Sequence, residues 1–182
     1  MGAHAVLVGN AGADLVFSSL RLGRQEATPA GRHVQPGARQ GERRTPGFFH
    51  RVTGTDEGLL GLPVIGGSAA PATGVASGGQ GSAAVLFLRE RALAFAALGE
   101  LRARGDRPAD DGCKASCVDW YGNARPIFLG ERIFALLGYE LVEGRLDGQG
   151  AWERIDERRR IGFAPRREAE SGRFSPFNGQ QP

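Results

Sequence analysis

The sequence predicts an α+β fold: a small domain of one amphipathic helix, two β-hairpins and a short helix, with a long irregular N-terminal arm and a C-terminal tail. Three observations predict it. One run, "SAAVLFLRERALAFAALGELRARGDRP", repeats apolar residues at helical spacing. Two later runs place apolar segments on either side of turn dipeptides. The 29 Gly and 10 Pro of the 182 residues crowd the first half and the far C-terminus, above the usual share.

Residues 5 to 9 read as a short buried strand, and "DLVFSSLRL" from Asp14 as a second strand or a short helix. From Arg21 to Arg51 seven arginines stand against two acids, with Gly, Pro and Gln between them. No hydrophobic periodicity appears there before Phe48 and Phe49. A segment that cannot bury enough apolar surface does not fold alone, so this one reads as an extended basic arm. "GLPVIGGSAAPATGVASGGQGS" then reads as a flexible linker. Residues 1–81 are thus expected to be irregular.

The compact domain is expected over 82–163. Ser82 caps the helix, and Val85, Leu88, Ala92 and Phe95 form its apolar face, widened by Leu86, Leu93 and Ala97. Arg102 and Arg104 suit the last turn, Gly105 the left-handed cap, and Pro108 follows. "CVDWYGNARPIFL" predicts a hairpin turning at Gly122-Asn123, and "GERIFALLG" a short helix closed by Gly138. "YELVEGRLDGQGAWERIDERRRIGF" predicts a second hairpin turning at Asp147-Gly148. Residues 164–182 read as a tail, and no internal repeat is found.

Of the 23 basic residues 22 are Arg, and Lys114 is the only lysine. A guanidinium offers a planar five-donor fork suited to phosphate, carboxylate and aromatic faces. The net charge of +3 is small, so the distribution of charge matters more than its total. Two cysteines make no disulfide framework, and the expected setting is an intracellular, reducing compartment. No positive start precedes an apolar core, as a secretory signal needs. Residues 1 to 24 have a faint organelle-presequence character. Gly2 lacks the Ser or Thr that myristoylation wants, since Val6 stands there. The uncharged run from Gly58 to Leu88 is too rich in Gly, Ser and Pro to read as a membrane span.

Catalytic chemistry finds little support. "AVLVGNAGAD" has neither the Gly-Lys-Ser/Thr ending of a P-loop nor the three spaced glycines of a dinucleotide fingerprint. Cys113 and Cys117 are spaced CxxxC, and a zinc site would need further ligands from His4, His33 and His50. No Gly-x-Ser-x-Gly elbow stands on a strand-to-helix turn. Adjacent acids such as Asp110-Asp111 and Asp156-Glu157 point to opposite sides of a strand and suit a solvated surface. No catalytic residue, metal or cofactor is expected; a thiol-dependent or motif-free small enzyme is the alternative in that class.

"AVLVGNAGAD", "ATPAGRHV" and "FHRV" at 49 to 52 together resemble the bacterial single-stranded-DNA-binding proteins. Those begin with an apolar strand ending in Val-Gly-Asn, then carry a Thr-Pro-x-Gly turn and a Trp-His-Arg-Val strand. The resemblance covers about 20 of the 182 residues. It implies an N-terminal OB-like barrel that binds single-stranded nucleic acid. Phe49 replaces the Trp, the family's stacking aromatics are missing between the pieces, and its acidic Pro-Phe tail is absent.

The leading expectation is a non-enzymatic, Arg-rich structural protein that docks on a larger assembly, either multi-subunit or RNA-containing, through its arm and tail. Arg21, Arg24, Arg32, Arg39, Arg43, Arg44 and Arg51 around Phe48 and Phe49 would bind phosphates or acidic groups, as would Arg158, Arg159 and Arg160 in the last hairpin. Phe174 and Phe177 would plug pockets on the partner.

Overall fold

The computed structural model describes residues 4–40, 49–66, 83–104 and 124–164. These form twelve strands: β1 (His4–Ala11), β2 (Asp14–Leu22), β3 (Ala27–Gln35), β4 (Ala38–Gln40), β5 (Phe49–Gly54), β6 (Glu57–Gly66), β7 (Ala83–Arg91), β8 (Ala94–Arg102), β9 (Ala124–Leu129), β10 (Arg132–Leu137), β11 (Glu140–Asp147) and β12 (Arg154–Gly162). The α+β expectation is overturned. Among the described residues there is no α-helix, only one 3-10 turn at Gly150–Trp152.

The strands make three antiparallel sheets. Sheet A has the order β1-β2-β3. Sheet B runs β6-β7-β8, with β4 and β5 pairing with successive parts of β6. Sheet C runs β9-β10-β11-β12. Sheet B is the middle layer, because β7 is apolar on both faces. Ala83, Val85 and Phe87 pack with Ile133, Ala135, Leu137, Val142 and Ile155 of sheet C. Ala84, Leu86 and Leu88 pack with Leu15 and Phe17 of sheet A. Successive side chains of a strand point to opposite faces, so one strand feeds two cores. The strand edges also match: β3 and β12 both lie against β8, β5 lies near β9, and β1 near β4. Neighbouring blades of a propeller pack in the same way, a likeness of packing geometry alone.

The expected long helix is in fact the β7–β8 hairpin. Val85, Leu88 and Phe95 do recur at helical spacing, but Val85 and Leu88 lie on β7, which is buried from both sides, and Phe95 on the partly exposed β8. The connection is Ala92-Leu93, both with left-handed φ, 49° and 68°. Non-glycine residues pay about 1–2 kcal/mol each for that conformation. Tertiary contacts hold it. Ser19 donates its hydroxyl hydrogen to the Leu93 carbonyl, Ala92 N–H donates to Asp56 O at 2.8 Å, and Leu93 is buried. Gly31 of β3 sits against the same carbonyl, so close that a Cβ would overlap it.

The expected short helix "GERIFALLG" is β10, entered through Gly130 and left through Gly138, both with positive φ. The expected irregular arm is the end of β2, all of β3 and β4, and the start of β5, with 41–48 outside the described residues. It folds because other elements supply its apolar partners: Ala38 is buried in the A–B core, and the His33 ring packs on Phe17. The implied N-terminal barrel is not formed, since the strands up to Gly66 are divided between two open sheets. Strand pairing within 140–162 is common to expectation and structure. Gly122-Asn123, Cys113, Cys117 and the tail from 165 onward lie outside the described residues. No helix among the described residues is long and apolar enough to cross a membrane.

Two substitutions test the docked hairpin. Gly31→Ala should destabilise the protein by about 1–3 kcal/mol through overlap with a fixed backbone. Ala92→Gly should stabilise it by about 1 kcal/mol by removing the left-handed penalty. Urea unfolding curves of both variants measure this.

Candidate functional site

The three layers leave two broad sheet faces outside the cores. The outer face of sheet C is the charged one. In β9 and β10 the inward set is Ala124, Phe128, Ile133, Ala135 and Leu137. The alternate positions therefore face out: Arg125, Ile127, Leu129, Arg132, Phe134 and Leu136. Cross-strand pairing extends this face through Leu141, Glu143 and Arg145 to Asp156, Arg159 and Ile161, and Arg158 joins it at a β-bulge. Six arginines (125, 132, 145, 154, 158 and 159) thus share the face with three carboxylates, Glu143, Asp147 and Asp156.

Glu143 organises its centre. Arg132 Nε donates to Glu143 Oε1 at 2.9 Å, and Arg158 Nη1 donates to the same oxygen at 3.4 Å. The Glu143 side chain is only 6% exposed because these arginines lie over it, not because it enters the core. The Arg132 hydrogen bond holds its carboxyl below the ordinary 4.5, helped by the charges of Arg132, Arg158 and Arg159 and opposed by desolvation. The Arg132 guanidinium also covers the Phe134 ring, 4.7 Å from its centroid. One carboxylate among three arginines leaves positive charge over. The other two acids, Asp147 and Asp156, are held by Arg154 at 3.1 and 3.0 Å. Leu129 and Ile161 add aliphatic surface, 64% and 44% exposed.

The arginines expected to bind have separate fates. Arg158 and Arg159 are exposed on this face. Arg160 points the other way, into the B–C junction. It pairs with Glu140 at 2.5 Å and Glu157 at 2.7 Å and donates to Arg102 O at 2.9 Å. Arg51 bridges sheets B and C, donating to Gly130 O at 2.5 Å with its guanidinium over Phe128. Arg21, Arg24 and Arg39 are exposed at scattered places, and Arg32 is exposed on the outer face of sheet A. Phe49 is half-buried on β5, while Arg43, Arg44 and Phe48 lie outside the described residues. Among the described residues, Arg21, Arg24, Arg32, Arg39, Phe49 and Arg51 are not gathered with Arg158 and Arg159 into one site. Arg125, Arg132 and Arg145 were missed by sequence reasoning, although alternation in "ARPIFLGERIFALL" could have placed the first two on one face.

The nearest approach to a catalytic constellation lies in the A–B junction. His4 Nε2 is 3.3 Å from Glu90 Oε1, and His50 Nε2 is 3.1 Å from Glu90 Oε2. The Glu90 carboxylate is 3% exposed, so both imidazoles are spent on covering it. His50 reaches it by lying across Gly58, where a Cβ would sit 2.9 Å from His50 Cδ2. This cluster ties β1, β5 and β7 together. Among the described residues no group of three His, Cys, Asp or Glu side chains is arranged to hold a metal.

Comparison of the chain with protein-family models, with curated proteins and with solved structures found no match.

Acid should weaken the arginine-held carboxylates. Hydrogen bonds from Arg132, Arg89 and Arg160 lower Glu143, Glu153 and Glu157 respectively. Groups depressed in the folded state add stability above the unfolded value near 4.5 and lose it as pH falls through the folded value. Glu100 has the opposite sign. Burial raises it, outweighing Arg102, so its contribution falls as pH rises from 4.5 towards its folded value. Thermal melts from pH 2 to 6 should show Tm falling below pH 4.5, with a shallower fall in Glu153→Gln. An identical slope in that variant contradicts the assignment.

Proposed function

We propose that this chain is a non-enzymatic docking protein whose outer sheet C face binds an acidic surface of a larger protein assembly. The carrying observation is the arginine excess on that face: Arg125, Arg132, Arg145, Arg154, Arg158 and Arg159 around Glu143, Asp147 and Asp156. Arginine is enriched at protein interfaces, where its fork pairs with carboxylates in two-point contacts. Leu129 and Ile161 supply apolar contact beside it.

A nucleic-acid partner, in an RNA-containing assembly or as a free single strand, is the second reading. The same arginines could neutralise phosphates. Single-strand binders also stack bases on open aromatic rings. Here the described aromatic on the face, Phe134, is 9% exposed beneath Arg132. That favours the acidic protein surface.

The test is a salt titration of the full chain against two fluorescent probes, a Glu/Asp-rich 20-residue peptide and a 20-nucleotide single strand. The peptide should bind at low salt and weaken as salt rises. Double reversal of Arg158 and Arg159 to Glu should cost at least about tenfold in affinity, roughly 1.4 kcal/mol. Reversal of Arg39, far from the face, should change little. Tighter binding of the oligonucleotide selects the second reading, and no binding of either probe at low salt removes both.

A further inference from the structure

The outer face of sheet A differs in kind from that of sheet C. Its inward positions are Val6, Val8, Leu15 and Phe17, packed in the A–B core. The alternate positions, which face out, are Ala5, Leu7, Gly9 and Ala11 on β1 and Val16, Ser18, Leu20 and Leu22 on β2. Their partners on β3 are Ala27, Pro29, Arg32 and Val34. Asp14, paired with Ala11, shares this face, so Arg32 and Asp14 are its charged side chains, one of each sign.

An antiparallel sheet with one solvated face alternates apolar inward and polar outward. Sheet A does not. Its outward positions have the composition of sheet B, which is covered on both sides. Leu7 is 54% exposed, Leu22 40% and Val34 38%. Beside Leu7 lies an open groove of about 400 Å³ over Gly9, Ala11, Val16, Ser18 and Arg32. The floor is low because its residues are small: a Cβ on Gly9 would meet nothing within 4 Å. A projecting leucine beside a small-residue trough on the same face suits a self-complementary contact.

We propose that a second copy of this chain covers this face, sheet A against sheet A about a two-fold axis, with Leu7 of each copy seated in the groove of the other. Charge selects this pairing. Sheet C against sheet C would oppose two arginine-rich faces, and sheet C against sheet A would bring Arg32 towards the same arginines. Sheet A against sheet A brings together one arginine and one aspartate from each copy, so its charges balance. The contact continues the stacking that already joins A to B and B to C.

Its size sets its strength. Three strands of about nine residues cover roughly 30 by 14 Å, or about 400 Å² per copy. The two copies together bury about 800 Å², less than the roughly 1,200–2,000 Å² of stable specific interfaces, so the dimer is a weak one that should dissociate in the micromolar range or above.

Sedimentation equilibrium of the full chain from 5 to 500 µM tests the proposal. The wild type should pass from monomer to dimer over that range. Leu7→Glu and Val34→Glu should each remain monomeric throughout. Both change outward positions, so circular dichroism should show an unchanged sheet spectrum. Arg159→Glu, on sheet C, should dimerise like the wild type. A wild type that stays monomeric at 500 µM overturns the proposal. So does a dimer that survives both sheet A substitutions with a native spectrum, or one altered by Arg159→Glu, which would mean sheet C takes part.

Discussion

Strand β7 is buried on both faces, and the three-layer arrangement depends on it. Phe87 and Val85 face one way, Leu86 and Leu88 the other, and all four are essentially inaccessible to water. Burying a side chain of this size stabilises by about 1.5–3 kcal/mol. Each is shared with a different neighbouring sheet, so the strand couples the folding of sheet A to that of sheet C. Neither outer sheet has a second apolar layer of its own among the described residues. Removing the middle strand would leave two half-covered sheets with nothing between them.

Polar groups close the junctions that the two cores leave open. At the A–B junction, His4 and His50 cover the Glu90 carboxylate. At the B–C junction, Arg89 grips Glu153 with Nε and Nη2, both side chains being 10% exposed. Arg160 fastens the same junction by reaching from β12 to the Arg102 carbonyl on β8. A planar fork can satisfy a carboxylate and a carbonyl together, which an ammonium does less well. Part of the arginine content is therefore structural. Arg51, Arg89 and Arg160 hold sheets together and are poorly placed to bind anything else.

The same double burial explains what the sequence hides. A strand covered on both faces loses the period-two alternation that marks a strand and becomes a continuous apolar run. "AAVLFLRERALAF" then satisfies a helical template by chance, and no Gly, Asn or Asp marks the turn at Ala92-Leu93. The strain of that turn is offset by Ser19, a residue 74 positions away in sequence. No local reading can see such a contact. Gly12, Gly130 and Gly138 all open two-residue hairpin connections with positive φ, yet the last two read equally well as the ends of the short helix that β10 replaces. The Arg21–Arg51 segment misled for a related reason. Its few apolar residues were weighed alone, whereas its partners come from β2, β6 and the β7–β8 turn.

Charge on the two outer faces is divided by the same packing logic. Outward positions in sheet C can carry arginine because water or an acidic partner can solvate it there. Glu143 keeps those arginines from repelling one another fully, since the hydrogen bond from Arg132 favours its ionised form. Outward positions in sheet A carry almost no charge, and exposing such a face to water gains nothing for stability. A sheet stack grows by adding apolar face to apolar face and stops where a face becomes charged. On that rule the stack ends at sheet C and is open at sheet A. The two proposed contacts use opposite ends of the stack, so neither would need to displace the other.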